Sequence, residues 1–306
     1  MANVRILQAG AAKPKGVWPY TLCIVANPWI ESPQNSGQFF ADPIINNEPV
    51  FDEKVRYVID SITGRLPGQA EKMFSALSAQ WRIVSVFDRD RKRKNSNSLI
   101  AHDNTNIVIA RQPKFPEFLK RYKLPKMGKL RADVAFAVTA SATHNRCSGW
   151  FTLDDDEVPG RPFTIDGKAM VHRPRNKLPG AVALHVNAKS LVALHEFSHS
   201  ASSWTNGMIT DLYADAGDGL NKRRGRPVPG QFCVYDNQAF DSAFTRGGGL
   251  AYPAGWTSYH CELDDPAFPA VMDDYWQAAG NKPEKCRHDK LTRQFLLDRV
   301  QTIMAR

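Results

Sequence analysis

The stretch GAVALHVNAKSLVALHEFSH, Gly180 to His199, decides how this chain is read. Its opening, Gly180 to Val186, is a short apolar run of the kind that forms a buried strand. Asn187 follows as a candidate N-cap, and the residues after it read as a helix. That helix carries His195-Glu196-Phe197-Ser198-His199, the pattern H-E-x-x-H. Residues four apart are neighbours on one helix face, so His195 and His199 can aim ring nitrogens at a single ion. Glu196 stands about 100° further round, beside such an ion rather than on it. Zinc accepts imidazole nitrogen at about 2.0–2.1 Å. A carboxylate placed like Glu196 can take a proton from the attacking water and pass it to a leaving group.

The surroundings favour a site over an accident. Apart from the motif itself, no charged residue lies between Lys189 and Asp211. Val192, Ala193, Leu194, Phe197 and Ala201 make the helix apolar. Burying a His-Glu-His set without a metal is costly, because each polar group loses its water. The alternative is a buried helix whose polar groups are satisfied within the protein.

Two histidines do not hold a catalytic zinc alone. The nearest acids downstream are Asp211, Asp215 and Asp218. Gly207 precedes them, and glycine permits the positive φ that ends a helix and reverses the chain. A turn there can bring a carboxylate back towards the two histidines. His260 and Glu262 are more distant alternatives.

HEFSHS followed by ITDLY resembles the IgA-peptidase-type zinc metallopeptidases, whose motif runs H-E-F-G-H-S with L-x-D-E-Y after it. Ser198 stands where that family has glycine, Leu212 where it has Glu, and the spacer between the parts is longer. The extended metzincin pattern H-E-x-x-H-x-x-G-x-x-H is absent, since Ser202 and Thr205 occupy its glycine and third histidine. The resemblance implies Asp211 as third ligand, ahead of Asp215. FPAVMDDYW, Phe268 to Trp276, is similar to the methionine turn of metzincins. There Met272 would form a hydrophobic floor beneath the histidines, the alternative being a core methionine in a loop. Tyr275 is then a candidate hydroxyl for the transition-state oxyanion, with Tyr213 and His260 as rivals.

The resemblance implies an α+β, zincin-like (metzincin-like) catalytic domain. Its parts would be a mixed twisted sheet with flanking helices and an irregular C-terminal lobe. The residue order agrees with a sheet and helices. TLCIVA (21–26), WRIVSVFD (81–88), NIVIARQ (106–112) and ADVAFAVTAS (132–141) read as strands. FDEKVRYVIDSITGRL, GQAEKMFSALSAQ and the C-terminal HDKLTRQFLLDRVQTIMAR read as helices. We expect residues 1–205 to form a regular lobe with the sheet and motif helix. Residues 206–306 are expected to form an irregular lobe bearing the third ligand and the methionine turn.

Composition bounds the rest. The chain has 306 residues, 42% hydrophobic and 23% charged, enough for a large core. No apolar run approaches a membrane span, and the first residues show no secretory h-region, so a cytoplasmic location is expected unless the sequence has been trimmed. The five scattered cysteines include no C-x-x-C pair and read as reduced thiols, with a Cys261–Cys286 disulfide as the alternative. The net charge of +9 gathers in RDRKRK (89–94) and KRRGR (222–226), which read as solvated loops or, alternatively, a nucleic-acid grip. LDDDE (153–157) reads as a solvated acidic loop, and His102, His144, His172 and His288 as structural or surface residues.

The leading expectation is a zinc metallopeptidase acting on a peptide or protein substrate. His195, His199 and Asp211 would hold Zn2+, with Glu196 as base and acid. The alternatives are a zinc hydrolase of another amide, or a non-catalytic zinc-stapled protein that binds nucleic acid.

Overall fold

The computed structural model describes residues 2–32, 37–90, 92–124, 128–165, 168–204, 207–209, 232–235, 259–261, 271–272, 282–288 and 290–306. It is a mixed α+β structure. The main sheet has six strands: β1 (Asn3–Gln8), β2 (Thr21–Ala26), β3 (Arg82–Phe87), β4 (Val134–Thr139), β5 (Ser148–Trp150) and β6 (Gly180–His185). Across the sheet they run β1-β3-β2-β4-β6-β5. The four central strands are mutually parallel, and both edges, β1 and β5, are antiparallel to their neighbours.

Both faces of the sheet are covered, which is why its central strands read as unbroken apolar runs. Alternate residues divide between the faces. Leu22, Ile24, Ile83, Val134, Phe136, Val138, Val182 and Leu184 join the larger core, under the helices. Those helices are α1 (Glu48–Thr63), α2 (Val192–Ala201) and α3 (Lys290–Met304). Cys23, Val25, Val84, Val86, Ala135, Ala137, Ala181 and Ala183 face a second core with Ile100, Val108, Phe115 and Phe118. The small alanines of β4 and β6 let that second layer pack close.

Helix α1 is fixed at both ends. The Asn47 side chain accepts from Val50 N, and Gly64 takes the left-handed conformation after the last turn, with φ 76°. Val55, Val58, Ile59 and Ile62 are its buried face, as their spacing predicts.

Other expectations are corrected. The motif helix starts at Val192, with Leu191 as an N-cap that makes no side-chain bond. Asn187 does not cap it: its N–H donates to His185 Nδ1, and the chain turns through Ser190 at φ 51° before the helix begins. Ala193 N–H, one of the helix's orphan donors, bonds instead to the Tyr57 hydroxyl at 3.3 Å. GQAEKMFSALSAQ is not a helix throughout; only Ser75–Ser78 is helical. Gln69 and Glu71 are buried and occupied elsewhere, Gln69 on Ser61 O and Glu71 on His288, so the segment is held by long-range bonds.

LDDDE is solvated only in part: Asp156 and Glu157 are exposed, whereas Asp154 and Asp155 are buried and Leu153–Asp154 is a strand. Asp154 is fully buried and takes two hydrogen bonds from Arg299, itself fully buried in α3. Arg299 Nε also donates to Ala201 O, so this pair ties α3 to the C-terminus of α2. Cys23, Cys147 and Cys286 are free thiols, which removes the Cys261–Cys286 disulfide. Among the described residues no helix is long and apolar enough to cross a membrane.

Candidate metal centre

Helix α2 lies against the sheet's far edge, and two glycines set how closely. A Cβ on Gly180 would fall 1.8 Å from Ser200 O, and one on Gly149 would fall 2.5 Å from Glu196 O. Neither position tolerates a side chain without moving the helix. Gly149, in the edge strand β5, therefore forms the wall beside Glu196, whose Oε2 would lie 3.1 Å from that added Cβ.

His195, Glu196 and His199 come together as the sequence predicts. All three are buried, and their ligand atoms lie within 4.8 Å of one another. The two imidazole rings are nearly perpendicular, and their Nε2 atoms stand 3.3 Å apart. Each Nδ1 donates to a backbone carbonyl: His195 to Val271 O at 2.8 Å, His199 to Ile209 O at 2.6 Å. A carbonyl only accepts, so both Nδ1 atoms carry hydrogen. In the neutral imidazoles Nε2 then carries the lone pair in both rings, and the two Nε2 atoms are close enough to share one ion. Two nitrogens at about 2.05 Å from one tetrahedral ion would be roughly 3.3–3.4 Å apart. The donor set and spacing fit zinc, and the carbonyls supply the outer hydrogen bonds that orient histidine ligands.

Those carbonyls come from segments that the sequence reading had singled out. After α2 ends, Ser203 N bonds to Gly207 O, and Gly207 has φ 126°, the positive φ expected of it. The reversed chain brings Met208–Ile209 under His199, and Ile209 N is held by the Ser202 hydroxyl. Val271 and Met272 are fully buried in the larger core. Asp211, Tyr213, Asp215, Glu262 and Tyr275 lie outside the described residues. His260 belongs to the strand Tyr259–Cys261, paired with Phe232–Tyr235.

A cleft of about 980 Å³ opens beside His195 and Glu196. Its walls include Lys54 and Tyr57 from α1, Cys147 ahead of β5, and the turn Val186–Ser190. Burial pushes the Cys147 thiol up to about 12, helped by the charge of Glu196, so it is not a nucleophile. Burial also raises the Tyr57 phenol. Neither residue had a sequence signal, since both reach the site from elements far away in the chain.

A second set was also missed. Ser198 Oγ, inside the motif, donates to Leu194 O and meets His288 Nε2 at 2.7 Å. Glu71 Oε2 accepts from His288 N at 2.6 Å and lies 3.3 Å from His288 Nδ1, and Arg293 adds a further bond. His288 is thus buried behind the helix, a structural residue as expected and not a surface one. His172 is also structural, fully buried against the rings of Phe163 and Phe295.

No family model matches the chain, and neither the curated proteins nor the solved structures contain a match to it.

Proposed function

We propose that the chain is a zinc-dependent metallopeptidase with a zincin-like catalytic domain. The observation that carries this reading is the 3.3 Å separation of two Nε2 atoms whose Nδ1 hydrogens are both committed to backbone carbonyls. His195 and His199 would hold the ion. Asp211 is proposed as the third ligand, supported by its position two residues beyond Ile209, whose carbonyl rests on His199. Two residues span at most about 7 Å. When bound, zinc would supply Lewis-acid activation of water and of the scissile carbonyl.

The rest is the work of the chain's own side chains. Glu196 takes the proton from the attacking water and delivers it to the leaving amine nitrogen. Its burial, 7% exposed against the Gly149 wall, strengthens that role by excluding bulk water. Met272 gives the histidines an apolar floor, a role supported by the Val271 carbonyl bond to His195. Tyr275 and Tyr213 are proposed as hydroxyls for the oxyanion. The substrate would lie in the cleft beside Glu196.

The test is Glu196→Gln assayed against a mixed peptide library with zinc content measured in parallel. The reading requires retained zinc with hydrolysis reduced about 10²–10⁴-fold, the usual worth of a general base. Undiminished hydrolysis would overturn it.

A further inference from the structure

The cleft beside Glu196 contains a charge that the proposed mechanism does not use. Lys54 lies on α1, 8% exposed, and lines the same cleft as His195 and Glu196. Its ammonium donates to Ala188 O at 2.8 Å and sits 4.4 Å from the centre of the Tyr57 ring. An ammonium has three hydrogens to place, and a carbonyl and a ring face are weak compensation for a buried cation. Among the described residues no carboxylate forms an ion pair with it. Glu53 and Glu284 also line the cleft, but both are exposed at the rim, as are Arg146 and Lys189. Water screens those rim charges against one another, while a buried charge is screened far less.

An ammonium whose protein partners are one carbonyl and one ring face has N–H groups left to offer an anionic group that enters the cleft. Burial lowers the Lys54 pKa, with Glu53 opposing that shift and Lys189 adding to it. The Cys147 thiol, raised chiefly by burial, also feels Glu196, which raises it further, and Lys54, which opposes that, and all three line one cleft. Cys147 and Tyr57, which line the same cleft, are both held towards their neutral forms by burial.

We infer that the cleft receives a carboxylate of the substrate and that Lys54 is the residue that selects it. This deepens the hydrolase reading and rests on it. The carboxylate has two sources in a peptide, the free C-terminus and an Asp or Glu side chain. Both present the same two oxygens to the ammonium.

Three probes separate them: N-acetyl-tetraalanine with a free carboxylate, its C-terminal amide, and the amide N-acetyl-Ala-Glu-Ala-Ala. Binding is measured by calorimetry with the full-length zinc-loaded protein, in unmodified form and as Lys54→Gln and Lys54→Arg. Gln retains a donor for Ala188 O without the charge, and Arg retains the charge. The expected result is about tenfold tighter binding of at least one carboxylate probe than of the neutral amide. That preference is lost in Lys54→Gln and kept in Lys54→Arg. The carboxylate probe that binds more tightly identifies the source. Equal affinity for all three probes overturns the proposal. So does a preference that Lys54→Gln keeps, because the metal or another group would then be reading the carboxylate. The two readings fail separately. A Lys54-dependent preference without any hydrolysis sinks the peptidase alone, and hydrolysis without the preference sinks the carboxylate pocket alone.

Discussion

His195 Nε2 and His199 Nε2 stand 3.3 Å apart, each turned inward by a carbonyl that fixes its Nδ1 hydrogen. Without a cation between them, two neutral rings would set two Nε2 lone pairs against each other, unless one ring takes up a proton and donates to the other. A divalent ion satisfies both lone pairs at once without a proton. Zinc should therefore stabilise the fold, and the apparent melting temperature should rise with zinc concentration. Loss of an outer-shell partner usually costs about 10–100-fold in metal affinity, and loss of a ligand costs more. His195→Gln and His199→Gln are each expected to weaken zinc binding by at least roughly 100-fold. Equilibrium dialysis against zinc checks this, and unchanged affinity in either variant would remove the metal centre.

Gly149 tests whether the edge strand positions the base. An added Cβ would lie 2.5 Å from Glu196 O and 3.1 Å from both Glu196 Oε2 and His199 Cβ. The strand cannot yield easily, because β5 is already paired to β6 through Ser148, Gly149 and Trp150. Gly149→Ala should cost about 1–3 kcal/mol in stability through overpacking. A shift of about 1 Å at a catalytic group costs on the order of 10²-fold in rate. Peptide hydrolysis should therefore fall about that far in protein that still melts cooperatively. Normal kcat/KM in the folded variant would show that this wall does not set the Glu196 position.

How far the sequence discloses all this depends on where the controlling contact lies. The H-E-x-x-H pair is four residues apart on one helix, so periodicity alone brings its rings together. Gly207 was readable for a similar reason, since only glycine accepts its φ of 126° without strain. The central strands were readable because both faces are buried. The edge strand β1 was not, because Ile6 and Leu7 are exposed and leave no alternating pattern. Glu71, Lys54, Tyr57 and His288 were illegible as parts of the site. Their partners lie 217, 134, 136 and 90 residues away, and no local spacing encodes such meetings. Asn187 misled because an N-cap residue type also suits a turn, and here a histidine nitrogen claims its backbone N–H.

Ser198 is explained by the same long-range logic. It stands where the resembling family has glycine, and its hydroxyl meets His288, which in turn meets Glu71. Ser198→Ala would leave a buried histidine nitrogen without its partner, at a cost of about 1–3 kcal/mol. Ser198→Gly should cost more, since glycine within a helix loses about a further 1 kcal/mol against alanine. Urea denaturation of the two variants measures both effects. Wild-type stability in Ser198→Ala would show that the hydroxyl contact contributes nothing.

The Arg299–Asp154 pair is a stronger case, because both side chains are fully buried. Removing one partner strands the other charge, typically at about 3–5 kcal/mol. Arg299→Met should be destabilised on that scale, and α3 should loosen from Ala201, the residue whose carbonyl Arg299 Nε holds. Faster amide exchange in residues 290–304 would report the loosening, and unaltered exchange would refute it. The double variant Arg299→Met, Asp154→Leu should recover part of the loss, since it removes the stranded carboxylate.

Acid should lower the stability of the protein over two pH ranges with assignable causes. Burial drives the His172 pKa down to about 3, aided by the charges of Arg299 and Arg161 and opposed by Asp154. The fold thus favours neutral His172. Its contribution is complete above the ordinary histidine pKa of about 6.5 and declines as pH falls from there towards about 3. Glu71 follows at lower pH. Burial alone would raise its pKa, but the hydrogen bond and charge of His288, with Arg293, outweigh that and bring it to about 2. Its contribution is complete above the ordinary carboxylate value and is lost as pH falls through about 4.5 to 2. Each group that protonates only on unfolding gives a slope of up to about 1.4 kcal/mol per pH unit. Between pH 6 and 5 the slope should therefore include a His172 contribution, and below about 4 the Glu71 contribution should join it. His172→Phe, which keeps a ring against Phe163 and Phe295, should flatten the upper part and leave the lower part intact. Urea titrations at half-unit pH steps measure both parts, and an unchanged slope between pH 6 and 5 in His172→Phe would rule out His172 as the source.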